Sequence, residues 1–327
     1  MGGAIGNRPL ADCKSAALSW FVRSPVSKLL SWLAVVLIGG ALLAPALFRG
    51  GKWMLDWLPA QNWLAREITR ADFARYFNRA VLVVALLTLW PLIRWARFDR
   101  TLFPVWTPVK TGIREFTVAF LPASVLLLLL GWAFTTAGVY AIREDAPWTA
   151  IGTALMPAIS VAVVEEFFFR GALTGLLLRS MSARAAILWG TFIFAIVHFL
   201  KPPEGMGIPD AEVGALSGFV VIGQIFAHFG HMDFLLAEFA TLCAVGLMVT
   251  LTRMETGRLW AGIGLHAGWV FGLKYFSAIT RATKELRAGE WMPWIGTNLK
   301  IGLVPLVVVL LTGWIALRLL RPHQIPG

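Results

Sequence analysis

The sequence is poor in charge, in cysteine and in tyrosine. Only 14% of its 327 residues are charged, two are cysteine and three are tyrosine. Soluble proteins carry about 25% charged and about 45–50% apolar residues. Here the hydrophobic share is 58% and the mean hydropathy +0.72. A water-soluble fold has too little interior to hide that much apolar surface, which excludes a soluble enzyme; a disordered chain is excluded by the same excess. Cys13 lies in a polar tail and Cys243 in an apolar run. They have neither the number nor the spacing of a disulfide framework or a thiolate metal site. Acidic residues are scarce too: 18, against 29 Lys and Arg, for a net charge of +11. On a soluble chain that excess would suggest nucleic acid. Here most basic residues flank apolar runs, which fits charge at a membrane surface and no nucleic-acid partner.

What the sequence has in quantity is long apolar runs. The first, Leu29–Phe48, lacks a small-residue cleavage site and reads as a retained span. Nine candidates fall at roughly 28–48, 79–96, 116–142, 150–179, 184–200, 213–230, 232–252, 258–279 and 300–319, against about 20 apolar residues needed to cross a bilayer core. The predicted fold is an all-α, polytopic bundle of about 8–9 transmembrane spans. Its expected parts are a cytoplasmic tail over 1–27, N-terminal spans over 28–142, a core over 146–280, and a last span and tail over 300–327. The stretch near 50–78 mixes Trp, Leu, Arg and Asp and is expected to lie along the interface. The basic connections around Arg8–Lys28, Arg94–Arg114 and Arg179–Arg184 favour a cytoplasmic N-terminus, although the basic stretch Arg49–Arg79 pulls the other way. The Ala-, Arg- and Trp-rich composition suits a GC-rich bacterium, and hence its plasma membrane.

Ionisable groups inside such runs cost about 2.5–3.5 kcal/mol each on insertion scales, so they are functional candidates by default. The fourth run holds three within six residues: Glu165, Glu166 and Arg170. At about 100° per residue, Glu166 and Arg170 share a helix face as an i,i+4 pair. This leaves Glu165, about 140° from Arg170, as a carboxylate without a cation of its own on that helix, the state suited to a general base. The next run forms a hairpin with the fourth, turning near Ser180–Ala183. Glu165 and His198 each lie 15 residues from that turn, or about 22 Å at 1.5 Å per residue. His266, eight residues into the eighth run, comes from the opposite face to within one or two helical turns of the same level. Phe194, four residues before His198, is expected to wall the site.

The run Glu165-Glu166-x-x-x-Arg170, then Phe194-x-x-x-His198, then His266, resembles the three motifs of the CAAX-protease and bacteriocin-processing family of glutamate-type intramembrane endopeptidases. The resemblance covers roughly residues 146–275. It implies peptide hydrolysis within the bilayer, on a membrane-associated or lipid-modified peptide or protein. Glu165 would activate water, His198 would hold that water and shuttle a proton, Glu166 and Arg170 would fix the first helix, and His266 would donate to the oxyanion. Phe194, Trp269 and Val270 would line the substrate side. The sequence departs from the family at Val270, where many members carry an Asn that supplies a second oxyanion donor. Gln224, Ser217 or the Trp269 indole are the candidates to replace it.

No cofactor is expected. Glu165, His198 and His266 do match the ligand count of a catalytic zinc site, so zinc is the alternative, although the spacing is not that of His-Glu-x-x-His. Two other readings stay open: a non-catalytic scaffold or bacteriocin-immunity protein of the same fold, and a proton-coupled transporter. The transporter lacks support from any inverted repeat. With the N-terminus inside, the site falls in the outer half of the bilayer, whereas prenyl-CAAX processing is cytosolic. That suits trimming of exported peptides better.

Overall fold

A computed structural model describes residues 25–95, 107–200, 208–228 and 232–321. Residues 1–24 of the expected tail over 1–27, with Cys13, and also Arg97, Arg100, Lys201, Glu204, His231 and His323, lie outside the described residues. The described chain falls into two compact units.

The first unit gathers residues up to 98 with 200–230. It contains α1 (Pro25–Met54), α2 (Trp63–Arg70), α3 (Phe73–Trp95) and α8 (Ser217–His228). Small residues set its packing. A Cβ on Gly40 would meet the Val81 backbone at 2.9 Å, and one on Gly218 would meet the Ala41 carbonyl oxygen at 2.0 Å. Phe48, Phe73, Tyr76 and Phe77 fill the core around these crossings.

The second unit holds residues 99–199 and 231–327. Its long helices are α4 (Val109–Thr136), α5 (Ile151–Glu166), α7 (Ala183–Val197), α9 (Met232–Thr256), α10 (Trp260–Ile279) and α12 (Leu303–Leu320). A π-helical segment, Phe167–Leu173, joins α5 to α6 (Thr174–Ser180), so that Ile151–Ser180 is one continuous helical run. α4, which the sequence grouped with the N-terminal spans, packs here against α10.

The chain is a multi-pass membrane protein, nearly all helical, with helical segments at all nine expected positions. Among the described residues five are long and apolar enough to cross a bilayer: Ser27–Met54, Phe73–Trp95, Val109–Thr136, Ile151–Ser180 and Leu303–Leu320. The 8–9 spans expected from the sequence are therefore not confirmed, and Ala183–Val197 and Ser217–Ala227 are shorter apolar helices. A correction concerns residues 137–142. The uncharged run continues through them, but Gly138 adopts φ +76° and the Val139 N–H turns back to the Phe134 carbonyl. That is the left-handed helix stop a glycine permits. Beyond it, Tyr140–Ile142 (β1) pairs antiparallel with Thr280–Ala282 (β2), so the fold is not strictly all-α.

Helix α10 is central because it has three distinct faces. Gly264, Gly268 and Gly272, spaced four apart, meet α4; a Cβ would reach the Phe116 carbonyl oxygen at 2.3 Å, the Phe120 carbonyl oxygen at 2.6 Å and Leu127 at 3.2 Å. Ala261, Leu265 and Trp269 pack with α9 and α12 through Ala244, Val249 and Val309. Gly262 and His266 face Glu166. Small residues at this spacing let helix backbones approach closely in lipid, where close packing replaces the hydrophobic drive. A side chain on the first face has to push the helices apart. Gly268→Val is therefore expected to destabilise the purified protein by at least the roughly 1–3 kcal/mol of an overpacked core, read as a lower midpoint in detergent thermal unfolding. Gly152→Ala, where a Cβ meets nothing within 4 Å, should leave the midpoint unchanged.

Candidate active site

The continuous helix 151–180 delivers the acidic pair. Glu165 and Glu166 end α5, and the wider π-helical turn starts at the next residue. π-Turns cluster at functional sites because the extra residue re-aims the side chains around it. Here it places Arg170 back over Glu166, with Nη1 donating to Glu166 Oε1 at 3.0 Å. Both side chains are fully buried. Arg170 also donates from Nη2 to the Gly246 carbonyl of α9 at 3.1 Å, and its guanidinium lies 4.2 Å from the Phe194 ring centroid of α7. One cation thus ties three helices together. Such a buried pair survives in low dielectric only when further hydrogen bonds satisfy it, and these contacts supply them.

His198 caps the end of α7, and Ser182 opens the same helix by accepting from the Ala185 N–H. The His198 Nδ1 lies 2.8 Å from the Phe194 carbonyl oxygen. A carbonyl only accepts, so Nδ1 carries the proton and Nε2 is turned to the site. The His198 Nε2 is 3.5 Å from Glu165 Oε2. His266 is oriented in the same way from the other side. Its Nδ1 lies 2.8 Å from Glu166 Oε1, and its Nε2 lies 3.8 Å from Glu165 Oε2. The Glu166 carboxylate accepts from the His266 Nδ1–H. Three helices distant in sequence therefore bring Glu165, His198 and His266 together, with Glu166 and Arg170 behind them. Glu165 and His198 are partly exposed, at 25% and 21% of their side chains, while His266 retains 6%. Access is from the Glu165–His198 side.

Glu165, read from the sequence as lacking a cation on its own helix, has two imidazole nitrogens as neighbours instead. The substrate-side residues need correction. Phe194 is 1% exposed, and its ring is covered by Arg170, by Phe169 at 5.0 Å and by His198 at 4.5 Å between centroids. It supports site side chains from beneath and does not face a substrate. Trp269 points to the opposite side of α10, where its indole N–H donates to Thr312 Oγ1 at 2.9 Å. That N–H is spent, so the indole does not replace a missing oxyanion donor. Accordingly Trp269→Phe is expected to cost about 0.5–1.5 kcal/mol of stability, one buried hydrogen bond, with catalytic turnover unchanged; folded but inactive Trp269→Phe protein would return the donor role to the indole. Val270 is half-buried, one turn beyond His266 on its face, and offers no donor. Ser217 and Gln224 belong to the first unit; the Ser217 hydroxyl is engaged by the Gly214 N–H at 2.9 Å.

Several contributors were not singled out in the sequence. Gly262 leaves room for Glu166, since a Cβ there would stand 3.2 Å from Glu166 Oε2. Arg253 is buried in α9 and reaches the Gly171 carbonyl at 3.5 Å. Arg258 bonds Glu115 through Nε at 2.8 Å and through Nη2, fastening the start of α10 to α4. Bonding to Glu115 raises the Arg258 pKa above its ordinary value. Charged residues at the ends of the apolar runs were the available signal for Glu115, Arg253 and Arg258.

A membrane-embedded helical bundle with a Glu–Glu–Arg helix facing two histidines defines the class. Residues 147–272 match the family model described as type II CAAX prenyl endopeptidase Rce1-like. The matched segment, which is similar to that family, contains Glu165, Glu166, Arg170, Phe194, His198 and His266. No curated protein and no solved structure matches the chain.

Proposed function

We propose that the protein is an intramembrane endopeptidase that cleaves a hydrophobic or lipid-modified peptide segment with a water activated by Glu165 and His198. The supporting observation is the pair of acceptors facing each other: Glu165 Oε2 and His198 Nε2 are 3.5 Å apart, and the Nδ1 proton of that ring is committed to Phe194. Two acceptors need a donor between them. A water supplies one O–H to the carboxylate and the other to the imidazole, which is the arrangement a general base requires.

In the reaction, the water proton passes to Glu165 as the water oxygen attacks the scissile carbonyl carbon. The electron pair moves onto the carbonyl oxygen, and His266 Nε2–H faces the resulting oxyanion. For Nε2 to donate while Nδ1 donates to Glu166, the His266 ring is the imidazolium. The Glu166 carboxylate is its counter-ion and also accepts from Arg170. Glu165 then returns the proton to the leaving amine nitrogen as the C–N bond breaks. A charged imidazolium is a stronger donor than a neutral one, which suits a site with Val270 where a second donor could stand. The family match points to a protease; a CAAX-type substrate ending in a prenylated segment belongs to the proposal. The bilayer would be a bacterial plasma membrane.

The proposed mechanism needs no metal, with Glu165 and His198 activating the water themselves. Cleavage by the purified protein is accordingly expected to be unchanged after prolonged treatment with a strong chelator. Loss of cleavage that zinc restores would make Glu165, His198 and His266 ligands instead.

Val270 also favours a second reading, a non-catalytic peptide-binding or bacteriocin-immunity protein. The two part in cells: if Glu165→Gln and His198→Ala both preserve the phenotype that deletion removes, catalysis is not the function.

A further inference from the structure

The first unit carries a feature that peptide hydrolysis does not use. α1 is 30 residues long, about 45 Å at 1.5 Å per residue, against about 30 Å of bilayer hydrocarbon. Its C-terminal end and the turn after it therefore leave the apolar layer. Three tryptophans mark the level there: Trp53, Trp57 and Trp63 are 63%, 73% and 69% exposed. Exposed indoles next to arginines are the signature of the headgroup region. Asn62 then starts α2 by accepting from the Leu64 N–H at 2.8 Å. Ala65 and Ile68 bury one face of this short helix, and Arg66 and Arg70 stand a turn apart on an exposed face.

Between α2 and the turn lies a cavity of about 420 Å³ lined by Leu55, Leu58, Ala60, Ala65, Arg66, Thr69 and Arg70. Its walls are apolar apart from the two guanidinium groups and Thr69, whose hydroxyl donates to the Ala65 carbonyl. No carboxylate answers the arginines: Glu67 forms no ion pair with either, and the nearby acid–base pair is Lys52 with Asp210 at 2.6 Å. Two uncompensated guanidinium groups over an apolar cavity at headgroup depth match one chemistry, a phosphodiester with a hydrocarbon tail. We infer that this cavity binds an anionic phospholipid of the bilayer, with its phosphate on Arg66 and Arg70 and the start of an acyl chain against Leu55 and Leu58. Guanidinium forks suit phosphate oxygens in a bidentate way that a lysine does not.

The test uses the full-length protein in detergent with an equimolar mixture of phosphatidylglycerol and phosphatidylcholine, and native mass spectrometry to count bound lipid. The wild type should retain phosphatidylglycerol over phosphatidylcholine by about 30-fold, the ratio two cations give at about 1 kcal/mol each near an anionic headgroup. The Arg66→Gln/Arg70→Gln double variant should lose most of that preference. Both side chains are exposed and unbonded, so its thermal unfolding midpoint should match the wild type. Arg75→Gln/Arg79→Gln removes the same charge from the next helix and should keep the preference. Equal losses in the two double variants would mean diffuse surface charge and overturn the site, as would no preference in the wild type. Displacement of the lipid by inorganic phosphate alone would also overturn it, because the cavity would then bind a free anion and not a lipid.

Discussion

Replacing Glu165 by Gln should reduce peptide cleavage by about 10²–10⁴-fold, the range a positioned general base contributes, with folding intact. The substitution keeps size and shape and removes only the ability to take a proton. Glu165 is a quarter exposed, and its Oε2 lies 3.5 Å from His198 Nε2 and 3.8 Å from His266 Nε2. The measurement is a comparison of membrane-protein termini in cells carrying the wild type or Glu165→Gln, followed by kinetics on a peptide made from a terminus that disappears. Identical termini in both cells would remove the protease reading. An unfolded Glu165→Gln protein would instead place Glu165 among the structural groups with Glu166.

The opposite outcome is expected five residues on. Arg170→Met should cost about 3–5 kcal/mol, the penalty for removing one partner of a buried ion pair, and is expected to abolish accumulation of folded protein. The side chain is 2% exposed and its loss strands the Glu166 carboxylate, of which Oε2 already has no hydrogen-bond partner. It also removes the bond to Gly246 and the cation above Phe194 that join helices α5, α9 and α7. Unfolding midpoints and protease resistance of the detergent-solubilised protein read the effect. The double variant Glu166→Gln/Arg170→Met should recover part of the stability, because the Glu166 carboxylate is then no longer stranded. A fully stable Arg170→Met single variant would mean that the pair is not what holds the three helices.

These contrasting expectations for Glu165 and for the Glu166–Arg170 pair were partly visible in the sequence. The i,i+4 spacing of Glu166 and Arg170 is local, so helical geometry alone paired them. The common depth of Glu165, His198 and His266 followed from counting residues along hairpins, which needs no knowledge of packing. What lay beyond reach was whatever departs from regular 3.6-residue geometry or depends on distant contacts. The π-turn at Phe167–Leu173 changes side-chain directions that a fixed 100° step misjudges. The pairing of Tyr140–Ile142 with Thr280–Ala282 joins segments almost 140 residues apart, and three-residue strands leave no periodic pattern. Trp269 was misjudged because its neighbourhood in sequence is His266, whereas its place on the helix is the other side, against Thr312. The Gly264–Gly268–Gly272 row was readable as a close-packing face but needed the position of α4 to say what it meets.

The central claim is that Glu165 and His198 act on one shared water, and a double-mutant cycle tests it most directly. Cleavage rates are compared for the wild type, Glu165→Gln, His198→Gln and the double variant on one peptide. Groups that act as a unit are strongly non-additive, so the double variant should be no slower than the slower single variant. If the two losses multiply instead, the residues act independently and the shared-water account is wrong.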